Sequence, residues 1–243
     1  MKKWYSLIDK VYRIENLEKA YKAVRANNGA PGIDGVTVEA YGQNLQEELN
    51  QLHHELKTGM YEPKPVLRVE IPKADGSKRP LGIPTVKDRV VQQALLNILQ
   101  PIFEPDFHPS SYGYRPGRSC HQAVAKAEML INKYGLSYVV DMDLSKCFDR
   151  LNHELILEGV NRKVSDGSIL KLIKKFLKAG VMKDGAWEET DLGSPQGGVI
   201  SPLLTNIYLD KFDQEMKKLG IRIVRYADDS APRKRIHATV LVV

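Results

Sequence analysis

The chain has 243 residues, 42% hydrophobic and 27% charged, which excludes a disordered polymer and allows one large domain or two small ones with a true core. Lys and Arg outnumber Asp and Glu by 36 to 30, and the resulting net charge of +6 points modestly to a polyanionic partner. Cys120 and Cys147 lack zinc-ligand spacing, no signal-peptide core follows the basic start, and no apolar run reaches the roughly 18 residues of a membrane span, so a cytoplasmic protein with two buried, reduced thiols and no membrane partner is expected.

Leu17, Ala20, Tyr21 and Val24 fall at helical spacing and predict a helix over 15–27, broken by the Gly- and Pro-rich loop 27–35. Leu45, Leu49, Leu52 and Leu56 form the stripe of a second helix over 44–57. His53 and His54 within it face different ways, which makes them a poor metal pair and predicts solvated side chains. Residues 66–71 alternate apolar and polar, Asp75-Gly76 marks a turn, and 81–84 is the return strand. Lys73, Lys78 and Arg79 thus share one hairpin, either a solvated edge or a clamp on phosphates.

The apolar run 86–103 predicts a helix buried on more than one side, with Pro101 near its end. The irregular stretch 103–117 interleaves Tyr112 and Tyr114 with Arg115 and leads to Arg118. Such a loop suits stacking on bases and pairing with phosphates, or is simply anchored by its tyrosines. Ser119 and Gln122 make a capping box for a helix over 120–134, closed by Gly135.

Residues 137–144 form an apolar strand ending in acid, with Val139, Asp141 and Asp143 on one face and Tyr138, Val140 and Met142 on the other. A carboxylate there needs solvent, a partner or a metal. Helices follow over 153–164 and, capped by Ser168, over 169–179; His153 is expected to be a cap or a surface residue. A short hairpin turns at Asp184-Gly185. The glycines of 192–202 let the backbone approach a ligand closely, and Ser201-Pro202 starts a helix over 202–219 that Gly220 ends. A second strand, 221–227, then delivers Asp228 and Asp229.

Two strands that carry carboxylates to one point fit phosphoryl or nucleotidyl transfer, which needs in-line geometry and cations more than covalent help from the protein. Two Mg²⁺ ions held by a few carboxylates meet that need. Asp143 and Asp228 are the candidate bridging ligands and Asp229 the third, while Lys73 and Arg79 are placed to meet a triphosphate.

The order and wording of these pieces over residues 15–229 resemble the reverse transcriptase domain encoded by bacterial group II introns. The pieces are Pro31-Gly32-Ile33-Asp34-Gly35, Ile71-Pro72-Lys73 through Arg79-Pro80-Leu81-Gly82-Ile83-Pro84, Ser111-Tyr112-Gly113-Tyr114-Arg115-Pro116-Gly117-Arg118-Ser119, Asp143-Leu144 with Phe148-Asp149, Ser194-Pro195-Gln196-Gly197-Gly198-Val199-Ile200-Ser201-Pro202, and Tyr226-Ala227-Asp228-Asp229. The resemblance implies an α+β right-hand polymerase, with fingers over 1–136 and a palm over 137–243 built as an antiparallel sheet backed by helices. It implies metal ligation by Asp143, Asp228 and Asp229 with the Leu144 carbonyl nearby. Lys73 and Arg79 would grip the triphosphate, Gln196 would support nucleotide and template, and Phe148 would fill the space a 2′-OH needs. Tyr112, Arg115 and Arg118 would face template. The implied partners are an RNA template, a DNA primer, dNTPs and a group II intron RNA.

The tail departs from the family pattern. From Ser230 onward Pro232, Arg233, Lys234 and Arg235 stand where a returning apolar strand is expected, and the Val-rich end is either a displaced strand or unrelated to the original frame. Thumb and maturase regions are expected to be absent. Two further readings stay open: a remnant that binds intron RNA without catalysis, and a reverse transcriptase of the retron or diversity-generating kind.

Overall fold

A computed structural model describes residues 3–72, 76, 78–136, 138–142, 147–183, 185–194, 197–227 and 239–240. Helices α1 (Ile8–Val11), α2 (Ile14–Asn27), α3 (Val38–Gln43) and α4 (Leu45–Thr58) precede the strands β1 (Val66–Pro72) and β2 (Lys78–Ile83). Then come α5 (Val86–Phe103), a 3₁₀ turn (Glu104–Asp106), α6 (Cys120–Tyr134), β3 (Val140–Asp141), α7 (Cys147–Arg150), α8 (His153–Asn161) and α9 (Gly167–Leu177). The chain closes with β4 (Val181–Lys183), β5 (Ala186–Glu188), α10 (Ser201–Lys218) and β6 (Thr239–Val240). The architecture is α+β, as expected. Among the described residues no helix is long and apolar enough to cross a membrane. Of the two free thiols Cys147 is buried, whereas Cys120 is only partly so.

The chain divides into two compact units, one of residues 1–102 and 148–201, the other of 103–147 and 202–243. Each therefore draws on both sides of the boundary expected at 136.

In the first unit β1 and β2 form the expected antiparallel hairpin, in register from Leu67 opposite Ile83 to Pro72 opposite Lys78. The β4–β5 hairpin turns where Asp-Gly predicts, with Lys183 opposite Ala186. It then adds to β1 in parallel (Val66 opposite Val181) to make a four-stranded sheet ordered β2-β1-β4-β5. That pairing joins segments more than a hundred residues apart, and no local pattern announces it. The predicted leucine stripe of α4 is buried at Leu49, Leu52 and Leu56, and α4 packs on α2.

Three local expectations change. The cap of α9 is Asp166, two residues before Ser168. One carboxylate oxygen accepts from Ser168 N (2.9 Å) and Ile169 N (3.2 Å), and the other from Leu7 N (2.6 Å) and Ile8 N (3.0 Å). A carboxylate has acceptor capacity for both helix starts, which a serine hydroxyl lacks. His53 is partly buried rather than solvated: its Nδ1 lies 2.7 Å from Tyr12 O and its ring stands edge-on to Tyr12. His153 is buried rather than at the surface.

In the second unit α6 begins with the full capping box of Ser119 and Gln122 and ends at Gly135 in the left-handed conformation. Tyr112, Ala123, Leu130 and Val224 form one hydrophobic cluster of its core, with Ala127, Leu136 and Tyr226 packed against them. The Val-rich tail supplies a strand: β6 pairs antiparallel with β3, Val240 opposite Val140. At and just before β3, Tyr138, Val139 and Val140 are 79%, 48% and 45% exposed.

Candidate active site

The sequence nominates two groups of residues. The first, around the expected nucleotide, falls in the first unit. Lys73 and Gln196 lie outside the described residues, and Arg79 is described only by its backbone in β2. Their neighbours are placed, and they bring three elements together. Ser194 N donates to Phe148 O (2.8 Å) and Gly193 N to Leu151 O (2.8 Å), so the glycine-rich loop leans on the turn that carries Phe148. Gly193 has φ +89°, and a Cβ there would stand 2.7 Å from Phe148 O; only glycine permits the approach. Gly197, at φ +111°, backs onto β2, where a Cβ would stand 2.3 Å from Gly82 O. Ile200 N donates to Gln92 Oε1 (3.3 Å) and fixes the far end of the loop to α5. Phe148 itself is buried.

Sequence reasoning missed His153 as a member of this group. Its Nε2 lies 2.7 Å from Gly193 O, while Nδ1 is buried with no hydrogen-bond partner among the described residues. With a carbonyl as the only acceptor, Nε2 carries the proton and donates. The imidazole thus pins the first residue of the loop from within α8. A lone histidine after Asn152 carries no such signal, because the contact reaches forty residues along the chain.

The second group comprises Asp143, Leu144, Asp228 and Asp229, all outside the described residues. The segment leading to Asp228 is described, in the second unit. Residues 110–112 run beside it: Arg225 N donates to Ser110 O (2.9 Å) and Tyr112 N to Arg225 O (2.8 Å). Arg225 and Asp213 form a buried ion pair, with Nη2 2.7 Å from Oδ2 and Nε 2.9 Å from Oδ1. The sequence assigns neither residue a role of its own; Arg225 falls within the strand expected to deliver Asp228 and Asp229, and Asp213 within the helix before it.

Among the residues expected to face template, Arg115 is otherwise engaged. Its Nε donates to Glu104 Oε1 (2.9 Å), its Nη1 to His108 O (2.9 Å) and Ser111 O (2.7 Å), and its Nη2 to Glu104 O (3.2 Å). A buried guanidinium so committed holds the loop rather than reaching outward. Tyr112 is buried in the core of its unit, and Arg118 lies over its ring at 5.2 Å while donating to Pro109 O (2.6 Å).

His108, at the base of this loop, titrates abnormally. Burial pushes its pKa below the ordinary 6.5, opposed by Asp213 and Asp210 and assisted by Lys217 and Arg225. Its Nδ1 accepts from Ser110 N (3.2 Å), which requires the neutral ring. A group with a lowered folded pKa binds more protons when unfolded, so stability falls as pH drops through 6.5 toward the folded value. The wild type is therefore expected to lose more melting temperature between pH 7 and pH 5 than His108→Gln; parallel melting curves would refute this.

Comparison with known proteins gives these placements a family. Residues 71–231 match the model of the family described as reverse transcriptase (RNA-dependent DNA polymerase). The chain is similar to protein YkfC of Escherichia coli, 41% identical over 226 residues that make up 91% of this chain and 58% of that protein. It is also similar to the group II intron-encoded protein LtrA of Lactococcus lactis, 38% identical over 209 residues, 85% of this chain and 34% of that protein. The chain thus spans less than two thirds of either relative. Among solved structures, a chain of a partial Cas6-RT-Cas1–Cas2 complex superposes with a TM-score of 0.59 at 23% identity, covering 92% of this chain and 37% of that one, which is a likeness of fold. With the family model matched over most of its length, this chain belongs to the reverse transcriptases, and its relatives include proteins encoded by group II introns.

Proposed function

We propose that the chain carries the active-site portion of an RNA-directed DNA polymerase of a mobile group II intron, working in the cytoplasm. One observation supports this reading above the others: β2 with Arg79, the turn with Phe148 and the loop around Gln196 pack on one another through Gly193, Ser194 and Gly197. These are the three elements expected to surround an incoming dNTP, and they come from three distant parts of the chain. The fingers and palm assignments, over 1–136 and 137–243, belong to the same reading.

The roles follow from chemistry. Lys73 and Arg79 neutralise the triphosphate; Arg adds a planar fork that fits phosphate oxygens. Phe148, held rigid by burial, fills the volume of a ribose 2′-OH and so selects dNTP over NTP. Gln196 supports the nucleotide from its loop, and Arg118, seated over the buried ring of Tyr112, borders the template. Asp143, Asp228 and Asp229, with the Leu144 carbonyl nearby, offer a donor set made only of oxygens, which suits a hard divalent cation that keeps waters and substrate phosphates as its other ligands. Two Mg²⁺ ions bound there would neutralise charge on the attacking and leaving oxygens. The RNA template, DNA primer and intron RNA are polyanions, in keeping with the net charge of +6.

Primer extension on poly-rA with oligo-dT and Mg²⁺ tests this reading. The chain is expected to incorporate dTTP well above UTP. No incorporation, with salt-sensitive RNA binding retained, would reject the polymerase in favour of an RNA-binding remnant.

A further inference from the structure

Arg225 and Asp213 are held in a place where an ion pair is expensive. Arg225 is 3% exposed and Asp213 fully buried. Desolvating both charges makes such a pair a poor source of stability, and apolar residues of like volume often serve as well. What the pair supplies is direction. The guanidinium meets Asp213 through Nε and Nη2 in a two-pronged contact, which fixes its plane. Nη1 is thereby aimed at two further acceptors, Asn206 Oδ1 (3.0 Å) and Ala227 O (3.3 Å). Asn206 in turn donates through Nδ2 to Gly113 O (3.0 Å).

Ala227 is the residue before Asp228. It has φ +56°, a left-handed conformation that side chains bearing a Cβ avoid. Something outside the turn must hold it. Arg225 takes its carbonyl, and Gly113 closes on the other side, where a Cβ would stand 2.1 Å from Ala227 N. The turn is thus clasped between the guanidinium and the 110–114 loop, and Asn206 joins the two.

We infer that Arg225, Asp213 and Asn206 form a positioning brace that sets the backbone at Ala227, the residue that leads into Asp228 and Asp229, and locks it to the 110–114 loop. The inference rests on the reading of Asp228 and Asp229 as the catalytic carboxylates. The brace touches neither nucleotide nor metal; it acts through the peptide of Ala227. A Lys at 225 would keep the charge and lose the fork.

The test uses the full chain with Arg225→Met/Asp213→Leu, which removes both buried charges at similar volume, and Asn206→Ala, which keeps the ion pair and cuts the link to Gly113. Hydrogen exchange is followed over residues 221–230, and dTTP incorporation is resolved into kcat and KM. In the double variant amide exchange across 226–229 is expected to rise about 10-fold or more with α2 and α4 unchanged, because the turn opens locally. The kcat is expected to fall about 100-fold with KM for dTTP within about twofold, the scale of a misplacement of about 1 Å at the reacting atoms. Asn206→Ala is expected to move both readouts in the same direction by about 10-fold, the loss expected from a weaker, single link. Arg225→Lys is expected to recover less than half of the lost kcat. Either variant, folded by its circular dichroism yet unchanged in exchange and kcat, would overturn the brace. If the wild type incorporates no dTTP, the polymerase reading fails, and the exchange experiment alone still decides whether the turn depends on these residues.

Discussion

Asp228→Ala is expected to lower dTTP incorporation on poly-rA by about 10³-fold while leaving RNA binding nearly unchanged. A carboxylate that holds a metal against developing phosphoryl charge contributes several kcal/mol in the transition state alone, and each 1.4 kcal/mol is about a factor of ten. Binding to the template draws instead on Lys, Arg and stacking contacts, which this substitution spares. Asp143→Ala is expected to have the same effect. The two together are expected to be little worse than either, because residues that act as one unit are far from additive. Asp191→Ala, at an exposed acid before the glycine-rich loop, serves as the control and is expected to polymerise normally. Normal incorporation by Asp228→Ala would show that the metal ligands lie elsewhere.

Arg225→Ala alone is expected to be the most destabilising substitution in the second unit, by about 3–5 kcal/mol, because it leaves Asp213 buried and uncompensated. For a chain of this size that corresponds to a fall of roughly 6–20 °C in melting temperature. The Met/Leu double variant carries no stranded charge and is expected to melt close to the wild type. Denaturant titration of both proteins checks the contrast. Equal stability of wild type and Arg225→Ala would mean that Asp213 finds solvent or another partner, and the pair would not be the buried unit described. The contrast also separates the two consequences of the pair: a single substitution damages folding, whereas the double variant damages only what the fork aims.

The elements that formed as expected are those governed by neighbours in sequence. The stripe of α4, the Ser119–Gln122 box on α6, the Gly135 stop and the β4–β5 turn at Gly185 each depend on residues within a few positions, where spacing and side-chain chemistry are decisive. The expectations that shifted are those in which a partner outside the expected pattern made a better offer. Asp166 displaced Ser168 as the cap of α9 because its carboxylate also serves the start of α1. His53 turned to the carbonyl of Tyr12, and Arg115 to Glu104 and the loop carbonyls, because burial leaves polar groups no solvent and makes any available partner binding.

By itself the sequence determined the family, the α+β class and the carboxylates and cations that carry the proposed chemistry, since these are written as residue identities in a fixed order. Only the tertiary structure decided the contacts beside them: His153 on Gly193 O and Gly193 against Phe148 O in the glycine-rich loop, and Arg225 bonded to Asp213 and to Ala227 O. The reason is physical. Apart from the bond from Arg225 to Ala227 O, those supports are hydrogen bonds and close approaches between segments from twelve to more than forty residues apart, and such contacts leave no period, spacing or local propensity along the chain.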